Sequence, residues 1–221
     1  MTHFAELLTP EQVESIHETS LEILKNVGML VHNQEARQRF VEHGCQEDAG
    51  TEIIKFPNKV IEHFLQSIPP TFTFHGRDPK YDRTIPGDGP LLVTGSSAPD
   101  IIDLETGEIR RSRSDDIARI AYLVNELLGY DIFSISVIAD DAPPAQFSLS
   151  RFYPALKNCL KPIRGSAPNM HEVDNILKLG ALIAGSEAAF WERPFITFQY
   201  CSLISPLTMD VESTETLMRL T

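Results

Sequence analysis

The chain has 221 residues, 42% hydrophobic and 23% charged, which is enough apolar material for a sizeable core and excludes wholesale disorder. Its formal net charge of -12 repels a phosphate backbone. The one basic cluster, Arg110, Arg111 and Arg113, runs directly into Asp115 and Asp116, so it reads as a solvated turn and not as a nucleic-acid patch. Apolar runs such as 133–139 and 195–198 fall far below the roughly 20 residues of a membrane span. Met1-Thr2-His3-Phe4-Ala5-Glu6 lacks the basic region of an export signal. Cys45, Cys159 and Cys201 are odd in number, far apart and without a CxxC pair, which argues against disulfides or a zinc knuckle and for a reducing cytoplasm.

Thr9-Pro10-Glu11-Gln12 announces the first helix: Thr9 caps, Pro10 takes the first helical position and Gln12 closes a capping box. Val13, Ile16, Leu21, Ile23, Leu24 and Val27 follow at near-helical spacing until Gly28. A second helix runs from Asn33 to His43 with the stripe Ala36, Phe40 and Val41. A short strand covers 53–57, and Asn58 caps a third helix, Lys59 to Ser67, that must stop before Pro69-Pro70. The Phe and Leu stripes of these helices are expected to be core. Thr71 to His75 alternates like a strand, and 77–90 reads as a loop with Arg77 and Asp78 in a local ion pair. Leu91-Leu92-Val93-Thr94 leads into Gly95, and 100–104 with 108–110 flanks Glu105-Thr106-Gly107 as a hairpin.

From Ser114 the pattern becomes a strand and helix alternation. Ser114-Asp115-Asp116 caps a helix through about Leu128 whose buried face is Ile117, Ile120, Ala121, Val124, Leu127 and Leu128. Strands at 133–139, 161–164 and 195–202 are followed by helices at 145–157, 171–184 and from about Val211. Three βα units in a row imply a parallel sheet with right-handed crossovers. The expected fold class is α/β: a partial (β/α)8 TIM-type barrel, its first three βα units, preceded by a helical and β-hairpin N-terminal region. Residues 1–113 form that lead-in and 114–221 the barrel units. The last helix carries no stop signal, so the chain is expected to be truncated. A doubly wound open sheet is the competing layout, although no GxGxxG follows any strand.

The run Leu8 to Val31, the turn Phe74-His75-Gly76-Arg77-Asp78-Pro79, and the block Thr94 to Gly107 with Arg110 and Asp115-Asp116 resemble, in order and spacing, the trimethylamine methyltransferase family. The resemblance covers essentially the whole chain. It implies a cytoplasmic β/α barrel that moves a methyl group from trimethylamine, or from a quaternary amine such as glycine betaine, to the cobalt of a corrinoid (cobalamin) carried by a cognate partner protein. It further implies no metal bound directly and a homo-oligomer at full length. Some members carry pyrrolysine, in a part of the family's chain beyond this sequence.

In a barrel the reacting groups sit at the C-terminal strand ends. Here these are Asp140 and Asp141 after the first strand, Arg164 and Ser166 after the second, and Tyr200 and Ser202 after the third. Asp140 or Asp141 with Tyr200 suits an onium cation, and Arg164 or hydroxyls suit a carboxylate. Ser97 joins them as a substrate contact, and Gly95 and Ser96 are the expected cofactor-facing residues over the barrel mouth. Each has a bland reading beside it: Asp140-Asp141 capping the next helix, Gly165-Ser166 an ordinary turn, Tyr200 core filling, 95–97 merely ending a strand. No catalytic residue is assigned. The seven histidines form no HExxH pair and no Ser-His-Asp pattern stands out. This fits methyl transfer, where the protein mainly positions, but equally fits a non-catalytic module binding a quaternary amine or a corrinoid protein, or an inactive fragment.

Overall fold

A computed structural model of the chain describes residues 7–220; Met1–Glu6, read above for a leader, and Thr221, at the end of the uncapped helix, lie outside them. Two compact units result, one of residues up to Ile68 together with those from Cys201 onward, the other Pro69–Tyr200.

The first unit opens with α1 (Pro10–Asn26), whose capping box forms as the sequence requires: Thr9 Oγ1 accepts from the Gln12 N–H, and Gln12 Oε1 from the Thr9 N–H. Gly28 follows at φ +77, where an added Cβ would lie 2.4 Å from the Ile54 carbonyl oxygen, so only glycine lets the chain turn there. The turn delivers β1 (Met29–Val31), then α2 (Gln34–Glu42), capped by Asn33, β2 (Gln46–Glu47), β3 (Ile53–Lys55) and α3 (Asn58–Leu65). Asn58 is not the cap of α3. Pro57 occupies that position, and no side chain replaces the missing acceptor.

The second unit begins with β4 (Phe72–Phe74) and β5 (Arg83–Ile85), an antiparallel hairpin, so the expected loop contains a strand. The Arg77–Asp78 ion pair does not form. Arg77 donates its N–H to the Leu160 carbonyl at 2.7 Å and its guanidinium to the Leu156 carbonyl, while Asp78 pairs with Lys80 at 3.0 Å. The second hairpin, β6 (Asp100–Ile102) and β7 (Ile109–Arg111), stands where the sequence puts it. Helix α4 (Ser114–Glu126) buries Ile117, Ala121 and Val124, but it ends early; Leu127 and Leu128 are exposed and form no part of its buried face.

The parallel sheet consists of β8 (Phe133–Ser134), β9 (Ile163–Gly165) and β10 (Ile196–Phe198), connected by α5 (Phe147–Asn158), then α6 (Met170–Ala184) and the unanticipated α7 (Glu187–Glu192). Ile163 aligns with Phe133 on one side and Ile196 on the other. A fourth ribbon, residues 92–98, runs parallel along the free edge of β8 through bridges Val93–Ile132 and Ala98–Val137. Parallel alternation therefore begins near Leu92, ahead of Ser114, and the β6–β7 hairpin with α4 links the first ribbon to the second. The sequence reads 91–94 as a strand ending at Gly95; that this ribbon joins the parallel series and runs on to Ala98 is not legible, because Gly95-Ser96-Ser97 interrupts its apolar pattern.

The start of every ribbon is tied down by charge. Asp131, before β8, accepts from the Leu92 N–H and from Arg83 Nε at 2.8 Å. Lys161, before β9, is 3% exposed and donates to the carbonyls of Val124, Leu127 and Tyr130 at 2.6–2.7 Å, so one ammonium caps the end of α4 and fixes the approach to β8. Arg193, before β10, reaches both oxygens of Asp82, which also accepts from the Gly76 N–H and lies 3.1 Å from His75 Nδ1. The His75-Gly76-Arg77-Asp78-Pro79 turn is thus a clamp on the base of the sheet.

At the hairpin, Arg110 is no solvated turn residue. It donates to both oxygens of Asp116 at 2.8 Å and to Asp103 at 2.9 Å, which binds β7 to the first turn of α4. Arg110 together with the Thr106 and Glu105 N–H groups holds the Asp103 carboxyl down to about 2.

The chain then returns to the first unit as β11 (Leu203–Ile204), β12 (Thr208–Met209) and α8 (Val211–Leu220). β12 runs parallel to β1 in a sheet ordered β11-β12-β1-β3-β2. Met29, Val31, Ala36, Cys45 and Ile54 form its core, with Leu24, Phe40, Phe56, Met209 and Met218 packed against it. Helix α8, expected as the helix of a third βα unit, therefore belongs to this unit. Core status of the early stripes holds only in part: Leu21 is the one fully buried residue of α1, and Val13, Ile16, Ile23, Val27, Phe64 and Leu65 are exposed.

Replacing Lys161 by Met keeps the aliphatic stem but leaves three carbonyls without their donor; urea unfolding at neutral pH should show a loss of about 2–4 kcal/mol with an unchanged m-value. The folded carboxyl of Asp103 titrates below its unfolded value, so its contribution is present above about pH 4 and disappears as pH falls toward 2. Carbon-detected NMR should place the Asp103 midpoint at about 2, and Arg110→Ala should move it up toward the ordinary aspartate value.

Candidate functional site

The two faces of the parallel sheet are distinguished by Gly165. A Cβ there would lie 2.6 Å from the Phe152 ring of α5 and 3.3 Å from Ile135 Cδ1, so Gly165 and Ile135 point at the helices. Phe198, aligned with Gly165, has its ring 6.2 Å from that of Phe152. Because side chains alternate along a strand and aligned residues share a face, the row Ser134, Arg164 and Thr197 points the other way. One residue pair further toward the C-terminal ends the same face carries Ser136, Ser166 and Gln199, and the bridges of the first ribbon put Gly95 and Ser97 at the corresponding levels.

This face is polar, with one cation and, among the described residues, no carboxylate in either row. Arg164 is half-buried, and its guanidinium has no ion-pair or hydrogen-bond partner among them. Arg151 contrasts with it. That side chain lies on α5, 2% exposed, with its guanidinium carbon 5.0 Å over the Phe147 ring, and burial pulls its pKa down.

The remaining sequence candidates separate. Asp140 is exposed, its carboxylate unpartnered among the described residues and its N–H donating to the Ser112 carbonyl. Asp141 accepts from the N–H and hydroxyl of Ser114 at 2.8 and 3.0 Å; burial pushes its carboxyl upward, but these two donors outweigh that and leave it below the usual range. It caps α4, the preceding helix, and not the following one. Tyr200 stacks on Phe198, ring centroids 6.2 Å apart, which aligns it with the helix-facing side and away from Arg164. Ser202 lies in the first unit, its carbonyl accepting from the Asp210 N–H. Gly95, Ser96 and Ser97 are exposed, and Ser97 takes a left-handed φ of +62.

Thus the structure brings Arg164, Ser166, Ser97 and Gly95 to one face and leaves Asp141, Tyr200 and Ser202 with other partners. Ser134, Ser136, Thr197 and Gln199 went unremarked in the sequence, although the alternation Phe133-Ser134-Ile135-Ser136-Val137 is a period-two signal for a strand with one polar face. Ser112, fully buried, joins the ends of the first two ribbons: its hydroxyl donates toward the carbonyls of Pro99 and Ile138. Among the described residues no group of three or more His, Cys, Asp or Glu could hold a metal ion, and no helix is long and apolar enough to cross a membrane.

The sequence profile of the family described as trimethylamine methyltransferase (MTTB) matches residues 2–221. The chain is 27% identical over 208 residues to a trimethylamine methyltransferase of Desulfitobacterium hafniense, covering 94% of this chain and 42% of the relative. It is 29% identical over 226 residues to a trimethylamine methyltransferase of Methanosarcina mazei, covering 96% and 44%. Against a glycine betaine methyltransferase of Desulfitobacterium hafniense the identity is 28% over 204 residues, covering 91% and 41%. The chain spans less than half the length of these curated relatives. With the profile matched from the second residue to the last, this chain belongs to the trimethylamine methyltransferase family.

Proposed function

We propose that residues 92–199 are the opening strands and helices of a (β/α)8 barrel, and that the protein transfers a methyl group from trimethylamine or a quaternary amine such as glycine betaine to the cobalt of a corrinoid carried by a partner protein. The observation that carries this reading is the run of four consecutive parallel ribbons with helices against one face and polar rows on the other. The names of the relatives supply the reaction class.

In this displacement the C–N bond of an onium nitrogen, a quaternary amine or trimethylamine in its protonated form, would break with its electron pair going to nitrogen to release a neutral amine, and the partner's reduced cobalt would supply both electrons of the new bond to carbon. The protein's task is to bind and orient the amine and to keep water from the reacting carbon. On this reading Arg164 and Ser166 face the bound amine, with Ser97 beside them, while Gly95 and Ser96, which present little bulk, lie where the corrinoid approaches. Asp140 is the free carboxylate at the rim that attracts an onium ion. Asp141 and Tyr200 act indirectly, through α4 and the Phe198 stack.

The test is a methyl-transfer assay with the protein, a reduced corrinoid protein and a panel of trimethylamine, glycine betaine and other N-methylated amines, followed through the absorbance of the cobalt. Methylated cobalt should appear with at least one amine. Absence of transfer across the whole panel, with a corrinoid protein shown competent in a second methyltransferase reaction, overturns the proposal.

A further inference from the structure

We draw no further inference here: the strongest candidate, the apolar groove of the first unit between α2, α3 and α8, lined by Phe40, Phe56, Val60, Phe64, Leu65 and Met218, carries nothing because nothing among the described residues shows what covers it.

Discussion

The second unit depends on a buried ammonium. Lys161 sits between α4 and β9 and donates to three carbonyls that the end of α4 and the following turn leave without partners. Burial lowers its pKa, yet three short donor contacts and the negative end of the α4 dipole keep the charged form in place. Because Tyr130 is one of the acceptors and β8 begins three residues later, the same contact that ends the helix also sets where the next strand starts. Asp131, Asp82, Arg83 and Arg193 extend the arrangement across the other ribbon starts.

Two kinds of polar group are kept apart in this unit. Ionic groups at the strand starts are satisfied by one another or by backbone, while the face opposite the helices carries hydroxyls, an amide and one unsatisfied arginine. Gly165 lets α5 pack closely on the other face, since a Cβ there would lie 2.6 Å from the Phe152 ring and force that ring to shift.

The first unit is built on different physics. Its core is a small apolar cluster between short strands and helices, and β12 is joined to β1 across the whole length of the intervening chain. Such a contact is set by tertiary pairing, and local pattern gives no sign of it. For the same reason α8 read as the continuation of a βα series: an amphipathic helix after a strand has the same local pattern whichever sheet receives its apolar face.

The sequence by itself determined the elements whose causes are local. The Thr9–Gln12 capping box, the Glu105-Thr106-Gly107 hairpin, the Ile117, Ala121 and Val124 stripe of α4 and the three parallel strands all follow from residues within a few positions of one another, and the ordered motifs carried the family. Only the tertiary structure decided which ribbon opens the parallel series, that Arg77 clamps backbone instead of pairing with Asp78, that Asp141 caps the preceding helix and not the following one, and that Arg164 shares its row with Ser134 and Thr197. Each of these is a contact between residues distant in sequence, and its existence turns on the registers of strands, which a one-residue slip would send to the opposite face.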